Sequence, residues 1–555
     1  MKNKIWIIIV CVMFAAFVIS GIVMSQRQQA QMAELSRKMD EMNGKMDELD
    51  VQTASMEAQS KITNSAIKDA DQRIKALEMG ISSKDKQNGD GKEPVKLVWV
   101  LYSVPSKLAD WPEVEEALNA YSAEKIGVTC EFRYLDKDEV STNLLDAHDY
   151  DITYTCNWWN DFSRNVSAGN FRDLTDDLEK YPVLKDTVLE SAWSGTKIND
   201  RIYAIPHMKD IGCEVFWILD SNYFLKEKGF EKDLDISFEE IEPYLKAYKE
   251  DHPDDYPIKV SSSGITSWQT AIVDWLNMDT LIGLEWEAQG TDHEYEVKSA
   301  LEIPAWKKRL ETVHKWYEMG YINPDAPMLE KMPRAESGVV QSGQGWFGAE
   351  SIWANTIKRP IYISRFDGPY LSTSSIQAMT AVSSYTEHPE EAMKLIELMN
   401  TDPWYRETAR YGIEGKHYIR NYDGTVIRTE EGNENMSVQA YVQGHIILGA
   451  LEASQFPEVP TDIHQWEKTM AGYTNATVSV CMGFTPDLSS VGSECEAVQK
   501  VISEYSPELY TGKSDPDKII PEMLRRMEEA GLRKITGEIQ RQLDAVKEKE
   551  AKHEQ

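Results

Sequence analysis

The sequence predicts an α/β protein built from more than one globular unit, and three observations carry that reading. With 555 residues the chain exceeds what one hydrophobic core organises, so at least two units are expected. From Lys96 onward strand-like and helix-like runs alternate: KLVWVLY at Lys96–Tyr102, an amphipathic pattern over Glu113–Lys125, then GVTCEFRY at Gly127–Tyr134. That order implies parallel strands joined by right-handed crossovers. The third observation is NDRIYAIPHMKDIGCEVFWILD at Asn199–Asp220. It holds two short runs of β-branched and aromatic residues, each bounded by turn residues or proline, and both read as strands. Val215–Leu219 is apolar at every position, which predicts a strand covered on both faces, as in a parallel sheet.

Composition removes several classes of function. Hydrophobic residues make up 41% and charged residues 27% of the chain, a globular balance. A formal net charge of −33 argues against nucleic acid and against docking on an anionic membrane surface, since both require basic faces. The six cysteines show neither CxxC nor Cys/His spacing, so no zinc site or thioredoxin-type motif is expected. Cys481 and Cys495 are the pair close in sequence. A bridge between them is one reading; the other is that a large domain needs no staple.

The chain opens with Lys2 and Lys4 before an apolar run from Ile5 to Met24, long enough to cross a hydrocarbon core of about 30 Å. No small-residue cleavage pattern or lipoprotein box follows it, so residues 1–25 are expected to be an uncleaved signal anchor with the remainder outside the cell. Cleavage near Ser20–Ser25 is the alternative. Residues 26–83 lack proline and repeat apolar or small residues at 3-4 spacing, from Met32 and Leu35 to Leu77 and Ile81. That predicts a coiled-coil stalk, about 50 helical residues reaching roughly 75 Å. Thr53, Ser60 and Thr63 weaken its seam, so a homo-oligomer through the stalk and a lone helix both stay open. KDKQNGDGKEP at residues 84–94 is a polar linker.

Beyond the linker, Asp151–Tyr154 reads as a short strand ending in a loop with Asn157, Trp158, Trp159 and Asp161. Ligands of open α/β sheets sit beyond the carboxyl ends of strands. Adjacent tryptophans in a polar loop suit stacking on sugar C–H surfaces, and Asn157 and Asp161 suit hydroxyls. Ser237 with Glu240 forms a capping box before an expected helix over Phe238–Tyr248. Ile258–Ser263 reads as a strand, followed by Trp268 in a loop. Ala305–Met319 reads as an amphipathic helix ending at Gly320, and Gly338–Asn355 carries Trp346 and Trp353, of which Trp353 is the favoured contact.

Several of these stretches together resemble one family. IYAIP followed by VFWILDSNYFLKEKG, FRDLT at Phe171–Thr175, GYINP at Gly320–Pro324, HPEEAM at His388–Met393, YGIEGKHY at Tyr411–Tyr418 and EEAGLRKITGEIQRQLDAV near the end are similar to ABC-transporter sugar-binding proteins. The class is that of maltose-binding protein, in a lipoprotein-type branch with a C-terminal domain of unassigned function. The resemblance spans Lys96–Lys549 in order. It implies a two-lobed, periplasmic-binding-protein-like fold with a hinge. The first lobe would cover residues 95–210, completed by roughly 361–400, and the second 211–360. Residues 401–555 would form a C-terminal region packing on the lobes and ending in helices. The implied site draws on Tyr102, Ser103, Asn157, Trp158, Trp159, Asp161, Glu214, Trp268 and Trp353, with Glu214 accepting hydrogen bonds from sugar hydroxyls.

No chemistry-bearing motif competes with this reading: no G-x-S-x-G, no phosphate loop and no HExxH occurs. Glu214, Asp161 and Glu414 raise the question of a glycosidase, which needs two carboxylates about 5–9.5 Å apart. Among 92 acidic residues such a convergence arises easily by chance, and no catalytic residue, cofactor or metal is expected. The expectation is a binding component of an ABC importer that takes a carbohydrate, an oligosaccharide by preference, and presents it to permease subunits. A tethered partner of a sensor kinase, a surface adhesin and, further off, a glycoside hydrolase are the alternatives.

Overall fold

The first sheet begins where the apolar alternation of KLVWVLY demands a strand. Val95–Tyr102 (β1) pairs in parallel with Val128–Leu135 (β2), from Val95 opposite Val128 to Tyr102 opposite Leu135. Between them lies the helix Trp111–Ile126, with proline in its first turn and Gly127 in the left-handed conformation that ends it (φ 69°). The computed structural model describes residues 93–103, 107–135, 148–156, 159–208, 211–265, 272–373, 376 and 378–553. The expected anchor, the stalk and nearly all of the linker lie outside them, as do Asn157, Trp158 and Trp268. Among the described residues no helix is long and apolar enough to cross a membrane.

Ile152–Thr155 (β3) adds in parallel to β1. The chain then makes a small hairpin of Lys197–Ile198 (β4) and Arg201–Ile202 (β5) before Ile205–Pro206 (β6). The run from Ile202 to Ile205, read as one strand, is therefore split. Tyr203 donates its N–H to the Thr196 carbonyl (3.1 Å), which belongs to the hairpin and not to the sheet.

Cys213–Asp220 (β7) opens the second sheet and is buried at every position but the last. Val273–Asn277 (β8), Ile282–Glu285 (β9) and Lys298–Ser299 (β10) form a separate antiparallel sheet. Val340–Gln344 (β11) and Ile361–Leu371 (β12) then flank β7, and both run antiparallel to it. The parallel sheet expected around Val215–Leu219 is thus corrected. Unbroken apolarity reports burial of both faces, and here helices cover both faces of an antiparallel sheet. Trp217 and Leu219 pack with Phe238, Leu245 and Trp316 on one side, while Phe216 and Ile218 pack with Ala354, Ile357 and Val459 on the other. Replacing Trp217, which lies among Phe238, Phe366 and Trp316, by alanine should cost about 3–5 kcal/mol. The check is the urea midpoint at unchanged m-value; a loss below about 1 kcal/mol would contradict this packing.

Met379–Val382 (β13) returns to the first sheet, antiparallel to both β3 and β6, giving the order β2-β1-β3-β13-β6. The return therefore comes at Met379, and Ile361–Leu371, expected to complete the first lobe, belongs to the second sheet. Tyr418–Arg420 (β14) and Val426–Arg428 (β15) make a surface hairpin, and Thr477–Val478 (β16) pairs with the end of β12. The strand expected at Ile258–Ser263 reduces to one bridge between Ile258 and Ile322.

The region after residue 400 divides among three surfaces. Tyr405, Ala409, Met436 and Val442 join the core around the first sheet. Phe456 and Val459 cover the second sheet. The helices Gly492–Tyr510, Pro516–Ala530 and Leu532–His553 bury Val498, Met527 and Ile535 against Val273, Trp275 and Ile282 of the small sheet. Cys481 is buried and Cys495 half-buried, and both are free thiols.

Candidate functional site

Two larger sheets joined by several chain crossings present one end each to the junction. The first crossing runs from β6 to β7, and the second from β12 to β13. Their backbones lie side by side, His207 N–H donating to the Ala378 carbonyl (2.8 Å). A third passes through the helix Gln465–Thr474 into β16, after which Ser479 N–H donates to Leu371 (2.8 Å). Met379 pairs with both Thr155 and Pro206, so β3 ends at the crossings, and β1, parallel to it, ends there too. In the second sheet β7 starts from the crossing and Gln344 lies opposite Val215. The start of β7 and the end of β11 therefore face the junction from the other side.

Two buried clusters bolt the crossings together. His207 and His445 are fully enclosed. His207 Nδ1 donates to the Tyr441 carbonyl and its Nε2 accepts from Thr380 Oγ1 (2.6 Å). Met208 N–H donates to His445 Nδ1 (3.2 Å), leaving Nε2–H for Thr187 Oγ1 (3.0 Å). Both imidazoles are held neutral: burial pushes His207 down to about 3 and His445 well below its usual range, and the nearby Arg406 charge adds to both. On the other side Asp274 of β8 accepts from Ser479 Oγ and from Cys481 Sγ (3.5 Å). Burial lifts its carboxyl to about 6, with only neutral donors to oppose the rise.

The residues singled out in the sequence distribute unevenly around this junction. Tyr102, half-buried at the end of β1, meets Trp159 edge-on with ring centres 5.7 Å apart. Ser103 is buried and donates its N–H to Leu135 (3.1 Å). Trp159 is turned inward and only 3% exposed. The tight turn after β3, in which Cys156 N–H donates to the Trp159 carbonyl (3.1 Å), folds its ring onto Tyr102 and Tyr154. As a stacking platform open to the junction, Trp159 is therefore corrected. Asp161 caps the helix Phe162–Ser167, accepting from Arg164 N–H (2.7 Å). Burial raises its carboxyl pKa, and the charge of Asp279, from the β8–β9 turn across the junction, adds to that rise.

Glu214 is buried at the start of β7 and has a protein partner: Arg365 Nη1 donates to it (3.1 Å) and Arg365 reaches on to Asp235 (2.9 Å). Burial pushes the Glu214 carboxyl up and Arg365 pulls it back. Trp353 is half-buried on the helix Glu350–Ile357, edge-on to Phe216 (6.2 Å). Its ring lies over Gly345, where an added Cβ would come within 2.6 Å of it.

Sequence reasoning missed the aromatic pair that closes this wall. Trp346, passed over in favour of Trp353, is 6% exposed and donates Nε1–H to Gln465 Oε1 (2.8 Å). Trp466 from the third crossing stacks on it, ring centres 5.0 Å apart and planes 18° off parallel. Trp466 is half-buried, and its Nε1–H has no acceptor among the described residues. Ile446 and Ile447 pack against the same pair, and Ile447 also touches the core around the first sheet. The one signal in the sequence was a lone tryptophan between polar residues, His464-Gln465-Trp466-Glu467. Among the described residues no cluster of His, Cys, Asp or Glu is placed to hold a metal ion.

Known proteins share this fold. The family DUF3502, a domain of unknown function, matches residues 480–548, which are the C-terminal helices on the small sheet. A carbohydrate ABC transporter substrate-binding protein of Streptococcus pneumoniae is 24% identical over 502 residues, covering 86% of this chain and 97% of the relative. Among solved structures, the N-glycan transport solute binding protein NgtS from Streptococcus pneumoniae superposes with a TM-score of 0.71 at 23% identity, over 82% of this chain and 99% of that one. Its complex with Man5GlcNAc gives a TM-score of 0.64 at 23% identity, over 82% and 98%. An extracellular solute-binding protein from Bifidobacterium longum subsp. infantis gives 0.55 at 15% identity, over 83% and 99%. The chain has the solute-binding-protein fold and is a homologue of ABC-transporter substrate-binding proteins, which are not enzymes.

Proposed function

We propose that the protein is the extracytoplasmic binding component of an ABC importer and captures an oligosaccharide between its lobes. The observation that carries this reading is the Trp346–Trp466 stack at the junction, with one half-buried ring and an indole N–H lacking an acceptor among the described residues. A flat apolar face beside a free donor matches a sugar, which offers C–H surface on one side and hydroxyl oxygens at its rim. Trp353 and Tyr102 extend the aromatic surface, Asp161 faces the junction from the first lobe, and Glu214 offers the oxygen that Arg365 leaves free. Asn157, Trp158 and Trp268 are proposed to join them. Closure of the lobes over the ligand would be a population shift driven by contacts available in the closed state.

In this reading residues 1–25 tether the protein to the membrane, residues 26–83 space it from the bilayer, and permease subunits receive the ligand. The glycan-bound complexes of NgtS, of the same fold, support an oligosaccharide. A thermal-shift screen of the protein against neutral and acidic mono- and oligosaccharides tests it. A ligand at 100 times its dissociation constant adds about 2.7 kcal/mol of stability, a rise of several degrees. No shift with any glycan would contradict the reading.

A further inference from the structure

Arg334 lies in the loop leading into β11 and is half-buried. Its guanidinium rests 5.7 Å from the Trp353 ring centre. It is also close over Gly343, where an added Cβ would come 3.1 Å from Nη2. The other buried or half-buried arginines of this region have partners. Arg309 and Arg365 meet carboxylates, and Arg359 and Arg406 meet backbone carbonyls. Arg334 makes neither a hydrogen bond through its guanidinium nor an ion pair among the described residues. Burial alone acts on its charge, lowering its pKa with no neighbouring carboxylate to oppose the fall. Scarcity of acids is not the reason, since 92 acidic residues face 59 basic ones in this chain.

The position explains what those donors are for. The Trp353 ring that carries the guanidinium also covers Gly345, whose N–H donates to the Glu214 carbonyl (3.1 Å) at the junction end of the sheet. Arg334 thus adjoins the aromatic wall described above. The guanidinium lies over the Trp353 ring, and a planar fork of N–H donors matches a carboxylate through two parallel hydrogen bonds. A neutral ligand enclosed against it would leave a desolvated charge uncompensated, whereas an anionic one would not.

We propose that Arg334, backed by Trp353, binds a carboxylate on the ligand, so that the glycan carries an acidic sugar. This rests on the carbohydrate-binding reading and narrows it to uronate-type or similarly charged oligosaccharides.

The test is calorimetric titration of the full-length protein with paired oligosaccharides, each neutral glycan matched by the same glycan oxidised to the uronate at C6. The acidic member of a pair is expected to bind at least about tenfold more tightly, the scale of one charge-assisted contact. Arg334→Gln should abolish that preference, bringing the affinities of the acidic and neutral members of each pair to within about twofold of one another, and Arg334→Lys should keep part of it. Thermal midpoints of both variants check that they fold, and the lysine variant carries the test if the glutamine variant does not. Neutral glycans bound equally well or better, with the preference unmoved by either variant, would overturn the proposal and leave carbohydrate binding standing. Binding of neither member of any pair would overturn both.

Discussion

Replacing Trp466 by alanine is expected to weaken oligosaccharide binding by roughly thirtyfold, about 2 kcal/mol of lost ring contact and donor. Trp466 is half-buried and stacked on Trp346, so its outer face is available while its inner face is already packed. Its indole N–H, enclosed yet without an acceptor among the described residues, costs free energy in the unliganded protein that a ligand oxygen would recover. Trp466→Phe should keep the platform and lose the donor, placing its affinity between the two. Trp346→Ala should do more harm to stability, because Trp346 is buried and bonded to Gln465. Titration calorimetry with a glycan found in the thermal screen reads all three. A change below twofold for Trp466→Ala would move the site elsewhere.

Acidification below neutrality is expected to loosen the junction through its two histidines. In the folded protein His207 resists protonation to about 3, whereas an unfolded histidine takes a proton near 6.5. The depressed folded value means that the stability is fully present above about 6.5 and is lost progressively as pH falls toward 3. Between pH 7 and pH 5 His207 alone should cost about 2 kcal/mol. His445 acts in the same direction, for a reason its contacts make plain: a proton on Nδ1 would confront the Met208 N–H that now donates to it. Asp274 opposes this in part. Its carboxyl, raised to about 6, favours the folded state as it becomes protonated, so its contribution improves as pH falls through that value. The net expectation is a fall in unfolding free energy between pH 7 and pH 5, steeper in Asp274→Asn and shallower in His207→Gln. Urea titrations at each pH measure it, and a His207→Gln profile no shallower than the parent would contradict the burial argument.

The elements whose periodicity reports burial were legible in the sequence. Val215–Leu219 is a strand because an all-apolar run must be covered on both faces, and Glu113–Lys125 and Ala305–Met319 are helices close to their expected bounds. Strand direction was not legible, because apolarity says that a face is buried and not which neighbour lies beside it. The same limit hid the destination of the last three helices, which bury Val498, Met527 and Ile535 against the β8–β9–β10 sheet. At the site, Trp159 misled because adjacency to Trp158 in a polar loop suggested exposure, while a local turn onto Cys156 tucks its ring inside. Glu214 is buried at the start of β7, and the arginine that bonds it was not legible because it comes from a strand far along the chain. Trp466 escaped for a related reason, since its significance depends on Trp346, which only the third crossing brings beneath it.

The most direct measurement is a crystal structure of the protein with an oligosaccharide from the thermal screen. The account predicts an intact glycan between the two sheets, a sugar ring laid on Trp466, and a ligand oxygen within hydrogen-bond distance of its Nε1. A glycan bound away from the Trp346–Trp466 pair, or cleaved at a glycosidic bond, would contradict it.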